Sequence, residues 1–234
     1  MKLNKVTITG ADDSINPNEL NTLSDKYPYV EWAILLSEKQ EGFNRFPSLK
    51  WVEELKETNN DLHLSGHICG KWVRDILIGY NSFMINRPTI YQMFNRFQLN
   101  FHAEELEYDE HSFMDAVVKL GQGKEIILQL DGKNNNLILP FIERKIHIAG
   151  LHDVSHGAGT LPKYWPNFID EIDNGYAGGL SVDNVNEELE KIAEIVGDKE
   201  IWIDVETRVR SNNDQQFDLE KVEQFLINCK NWVK

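Results

Sequence analysis

Short apolar runs alternate along this chain with longer stretches in which apolar positions fall three and four residues apart. The runs read as strands over Lys5–Thr9, Val30–Leu36, Leu62–Ser65, Gln98–His102, Glu125–Leu130, Ile146–Leu151, Gly175–Gly178 and Ile201–Val205. Continuous apolar runs of this length suit strands covered on both faces, as in a parallel sheet. The intervening stretches predict helices over Asn18–Lys26, Leu49–Glu57, Lys71–Ile78, Thr89–Phe97 and Glu110–Leu120. Further helices are expected over Asn136–Glu143, Trp165–Ile172, Asn184–Val196 and Leu219–Trp232. Leu49, Val52 and Leu55 lie on one helical face, and Leu219, Val222, Phe225 and Leu226 repeat that spacing. Strand starts lie roughly 20 to 40 residues apart, enough for a crossover helix in each gap.

Eight strands alternating with helices predict an α/β fold, a single (β/α)8 TIM barrel over residues 1–234. An open Rossmann sheet lacks its fingerprint, because no Gly-x-Gly-x-x-Gly follows the first strand. Two helical pieces are expected between the third and fourth strands, with Arg87-Pro88 marking a start. A formal net charge of −14 argues against broad attraction to nucleic acid or to an anionic membrane. Cys69 and Cys229 are too few and too distant for a disulfide framework or a zinc knuckle. No apolar run is long enough to span a bilayer, and no signal-peptide core opens the chain, so a cytoplasmic location is expected.

The most informative segment is Gly175-Tyr176-Ala177-Gly178-Gly179-Leu180-Ser181-Val182-Asp183, a strand, a glycine pair and a helix start in succession. Gly178 and Gly179 allow a sharp turn and close approach of an anion to their amides. Ser181 or Asp183 can cap the following helix, whose amino end is electropositive. The arrangement suits a phosphate cradle, and equally a tight turn. A second strand, Ile201-Trp202-Ile203-Asp204-Val205, then ends in Glu206-Thr207 before the last helix.

These two closing units resemble those of phosphoribosylanthranilate isomerase, a TIM barrel whose glycine pair and post-β8 residues hold the substrate phosphate. Other positions extend the resemblance. His152-Asp153-Val154-Ser155-His156-Gly157-Ala158-Gly159-Thr160 is similar to the sixth strand of that family, where an aspartate is the general acid before a glycine-rich loop. Arg45-Phe46-Pro47-Ser48 resembles the site of an arginine that holds the substrate carboxylate, and Leu99-Asn100-Phe101-His102 loosely matches the end of the fourth strand. The family's first strand ends Ile-Cys-Gly, with cysteine as the general base; here Ile8-Thr9-Gly10 stands there.

The resemblance implies acid–base isomerisation of a small sugar-like substrate, with a phosphate ester left open, and no cofactor. Asp153 is then the acid, and Asp12 or Asp13 the substitute base, unless Asp13 or Ser14 simply braces the loop before a helix starting near Pro17. Arg45, His102, Gly157, Gly159, Gly178, Gly179, Glu206 and Thr207 are the implied substrate-binding positions. Glu206 departs from the small residues of the family, and a carboxylate aimed at a phosphate opposes binding by several kcal/mol at about 4 Å with a dielectric near 20. Either Glu206 points away and Arg208 compensates, or the ligand is not a phosphate ester. Two other readings stay open. His67, His102, His152, Asp153 and Asp204 suit a metal-dependent barrel hydrolase if they converge, although no His-x-His marks the first strand. Thr9 in place of the base suits a non-catalytic binding barrel.

Overall fold

The computed structural model describes residues 1–58, 61–101, 108–155 and 159–234. Eight parallel strands close into a barrel in chain order. They are β1 (Lys2–Thr9), β2 (Val30–Leu36), β3 (Leu64–Ile68), β4 (Arg96–Leu99), β5 (Glu125–Leu130), β6 (Ala149–His152), β7 (Asp173–Ala177) and β8 (Glu200–Val205). β8 returns to β1, pairing Thr7 with Asp204 and Ile8 with Val205, so the barrel has no exposed edge. The helices are α1 (Asn18–Lys26), α2 (Leu49–Thr58), α3 (Lys71–Leu77), α4 (Ser82–Asn86), α5 (Pro88–Met93), α6 (Glu110–Leu120), α7 (Leu139–Glu143), α8 (Val185–Val196) and α9 (Leu219–Cys229). None is long and apolar enough to cross a membrane among the described residues.

Two apolar clusters follow from the alternation of side chains along each strand. The larger lies between barrel and helices, with Ile8, Ile34, Phe97, Leu128, Tyr176 and Ile203 buried there. The smaller, Ile127, Ala149, Leu151, Ala177 and Trp202, fills part of the barrel interior. Further inward positions are polar: Thr7 pairs with Glu31 across β1 and β2, and Ser65 with Arg96 across β3 and β4. One side of the interior is thus polar, and it leads up to a polar mouth.

Three sequence expectations shift. The β3–β4 connection contains three helices rather than two, and Pro88 takes the first turn of α5 as expected. The helix expected over Trp165–Ile172 is not formed. Asn174 organises the segment instead, accepting from Ile169 N and donating to the carbonyls of Ile169 and Ile172. After β8 a small hairpin, β9 (Arg210–Ser211) and β10 (Gln216–Phe217), precedes α9, and no sequence pattern announces it.

Candidate functional site

At the carboxyl ends of the strands lies a cavity of about 180 Å³, lined by inward side chains that include His67, Gln98, Gln129, Asp153, Asp204 and Glu206. These come from β3, β4, β5, β6 and β8, or from the residues just after them. The register explains the convergence. His67 pairs with Gln98 across β3 and β4, Gln129 with Leu151 across β5 and β6, and Ala177 with Asp204 across β7 and β8.

Asp204 is the deepest carboxylate of the cavity. Burial raises its pKa well above the usual 3.8, and the charges of Glu206, Glu31 and Asp153 push the same way. Thr9 Oγ1 donates to Asp204 Oδ1 at 2.7 Å and opposes the shift. His67 Nε2 lies 3.8 Å from Asp204 Oδ2. Burial, helped by the charge of Arg96, pushes the His67 pKa down to about 3, so the ring is neutral near pH 7. Asp153 is held as a hydrogen-bond acceptor: Gln129 Nε2 donates to Oδ2 at 3.0 Å, and Ser155 donates to Oδ1 through its amide at 3.1 Å and its hydroxyl at 2.6 Å. Two carboxylates in unlike environments therefore share one small cavity. That pattern assigns acid and base roles in many sites.

Glu206 lies at the rim, paired with Arg45. Burial raises its pKa, Arg45 opposes the shift, and the carboxylates of Asp153 and Asp214 add to it. Arg45 also pairs with Asp214 at 2.6 Å, so its guanidinium joins two protein carboxylates. Thr207 lines the cavity, its hydroxyl 3.4 Å from Arg45 Nη1. Arg208 is exposed at the rim, 3.4 Å from the carbonyl of Gly159.

Asp12 and Asp13 stand outside the cavity. Asp12 is buried, 2.6 Å from Arg210 Nη2, and also accepts from Ser14 and from the amide of Arg45. Asp13 accepts from the amide of Ser48 at 2.7 Å, next to α2. Both are hydrogen-bonded to neighbouring loops. Gly159, Gly178 and Gly179 line the cavity, whereas His102 and Gly157 lie outside the described residues.

The glycine pair has an internal cause. Gly178 and Gly179 have φ of 112° and 70°. A Cβ on Gly179 would sit 2.7 Å from Thr160 C and closer still to Leu161 N, so the 160–161 backbone requires glycine there. Neither Ser181 nor Asp183 is the cap residue of α8. Asn184 holds that position, and its side chain turns back to accept from Ser181 N and donate to Gly179 O.

His152 belongs to the outer layer. Its ring packs on Tyr176 with centroids 4.9 Å apart and bonds Asn174 at 3.0 Å. The groups suited to a metal among the described residues comprise Glu125, His147 and Asp173, at the opposite end of the barrel. Sequence reading did not single out Gln98 and Gln129. The signal was present, since each is a polar residue interrupting an apolar strand at an inward position.

No protein-family model matches the chain, and no curated protein matches it in sequence. Solved structures do match the fold. A truncated 3-deoxy-D-arabino-heptulosonate 7-phosphate synthase from Thermotoga maritima superposes with a TM-score of 0.58 at 13% identity, over 98% of this chain and 86% of its own. KGPDC from Streptococcus mutans superposes with a TM-score of 0.56 at 10% identity, over 99% of each chain. The same protein in complex with a pentose phosphate gives 0.52 at 12% identity, over 98% of this chain and 99% of its own. At these identities the likeness establishes the TIM-barrel fold.

Proposed function

We propose that this barrel is an acid–base isomerase of a small sugar-like molecule, with Asp204 and Asp153 as its catalytic pair. The observation that carries the reading is their convergence on one enclosed mouth, where burial raises the pKa of Asp204 and Gln129 and Ser155 arrange Asp153 as an acceptor. Asp204 gives a proton to the ring or carbonyl oxygen of an aldose. Asp153 takes the proton from the adjacent carbon to give an enediol and returns it to the former carbonyl carbon. Meanwhile the neighbouring hydroxyl yields its proton to Asp204, which forms the ketose carbonyl and restores the acid. Relative to the phosphoribosylanthranilate isomerase pattern, Asp153 passes from acid to base, and Asp204 with Thr9 occupies the region of the missing cysteine. KGPDC, a barrel of the same fold, is known in complex with a pentose phosphate, which supports a sugar as the ligand class.

The test is incubation with a panel of aldoses, and with phosphoribosylanthranilate, in D₂O. Nuclear magnetic resonance should show solvent deuterium entering at the carbon beside the carbonyl, together with ketose. Asp153→Asn and Asp204→Asn should each lower the rate by about 10²- to 10⁴-fold while unfolding cooperatively. Inertness toward phosphoribosylanthranilate alone removes the narrow family reaction. Absence of exchange with every aldose, at any pH, removes the isomerase reading.

A further inference from the structure

The mouth of the barrel carries an excess of hydrogen-bond acceptors. Gln98 is buried, and its Nε2 is committed to Asn100 Oδ1 at 2.7 Å, so Oε1 is left without a partner. The side chain of Asn100 is oriented in turn by donating to Cys69 Sγ at 3.4 Å. His67, whose side chain is 2% exposed, has an Nε2 with no hydrogen-bond partner. Beside these lie the carboxyl groups of Asp153, Asp204 and Glu206.

Positive charge is scarce at the same place. Arg45, the rim cation nearest Glu206, joins Glu206 to Asp214 and brings no net positive charge to the cavity. Among the described residues lining the cavity, Arg208 is the cation, and it is exposed. The first turn of α8, where a phosphate would meet helix amides, contains Glu187 and Glu188, both paired with Lys191. A dianionic ester entering here meets the Asp153 carboxylate and a rim where Glu206 and Asp214 share the single charge of Arg45, and an ammonium group is drawn in by the same field.

Resting on the sugar reading above, we infer that the natural ligand is an amino sugar without a phosphate group. Its hydroxyls donate to Gln98 Oε1 and Asp153, and its ammonium lies toward Glu206. The cavity of about 180 Å³ has room for on the order of six water-sized groups, which suits a monosaccharide rather than a chain.

Isothermal titration and thermal unfolding of the whole protein at neutral pH test this with matched sets. Each set is an aldopentose or aldohexose, its amino-deoxy derivative and its terminal phosphate ester, with inorganic phosphate as a separate probe. The amino-deoxy sugar should bind roughly tenfold or more tighter than the phosphate ester of the same sugar. Glu206→Gln should narrow that ratio, and its unliganded unfolding temperature verifies that it folds. A phosphate ester that binds as tightly as its amino counterpart, or inorganic phosphate that stabilises the protein more than any sugar, overturns the inference and leaves the sugar reading standing. If no member of any set binds, the sugar reading falls, and the inference falls with it.

Discussion

His67 and Asp204 lie 3.8 Å apart and respond to pH in opposite directions. The pKa of His67 falls from 6.5 to about 3, so the native state binds fewer protons than the unfolded chain across that interval. Its contribution to stability is complete above pH 6.5 and is lost as pH drops toward 3. For Asp204 the native pKa is raised above 3.8, so the native state holds an extra proton. Its contribution is complete below 3.8 and is lost as pH climbs through the raised value. From pH 3.8 upward the two contributions offset each other. Urea unfolding should therefore show an acid limb below that point from His67, a flat stretch where both groups titrate, and an alkaline limb only where the Asp204 titration extends beyond 6.5. Asp204→Asn should flatten the alkaline limb and raise stability there, and His67→Gln should flatten the acid limb. An unchanged alkaline limb in Asp204→Asn would show that the carboxyl ionises freely in the fold. The sequence placed Asp204 at the end of an apolar strand. It could not give the hydroxyl of Thr9, which comes from 195 residues away.

At the level of elements, the turn after β7 is the most constrained piece of backbone at the site. Gly179→Ala combines a φ of 70° with a Cβ that would press on the 160–161 backbone. The expected loss is about 2 kcal/mol or more, measured as a lower urea midpoint at constant slope. Gly175 is constrained differently. A Cβ there would lie 2.6 Å from Trp202 Nε1 and closer still to Cε2, so Gly175→Ala should displace the indole and redden its fluorescence. If both alanine variants match the parent, the glycines answer to a ligand rather than to packing. Most elements were legible because amphipathic spacing survives in each. The β6–β7 connection was not, because Asn174 supplies from a distance the hydrogen bonds that helix backbone would have made.

Across the whole molecule, a buried ionic clasp ties the first, second and eighth βα loops together. Arg210 contacts Asp12 at 2.6 Å and Asp214 at 2.7 Å, and donates to the carbonyl of Gly10. Asp214 continues to Arg45, and Arg45 to Glu206 at the cavity rim. Arg210→Met leaves Asp12 buried without its counter-charge, and should cost about 3–5 kcal/mol in urea unfolding. It should also weaken sugar binding, because Arg45 and Glu206 lose their support. The double variant Arg210→Met/Asp12→Asn, which keeps an acceptor for Ser14 and the Arg45 amide, should recover part of the stability; no recovery would mean the clasp does not act through the charge of Asp12. At the other end of the barrel, Arg96 lies 3.0 Å from Glu125 and 4.3 Å from the centre of the Trp202 ring, sealing the base of the polar interior.

Hydrophobic periodicity alone determined the barrel, its eight strands and the strand ends where polar residues gather. Periodicity is local, and each segment has to bury its own apolar face. The resemblance to phosphoribosylanthranilate isomerase, rather than periodicity, pointed to Asp153, Glu206 and the glycine pair. Tertiary structure alone decided which of the polar residues face the cavity. Asp12, Asp13 and Arg45 resemble site residues in sequence but are bound to protein partners contributed by remote loops. Gln98, Gln129 and Asp204 face the cavity because strand register, a property of pairs of strands, turned them inward.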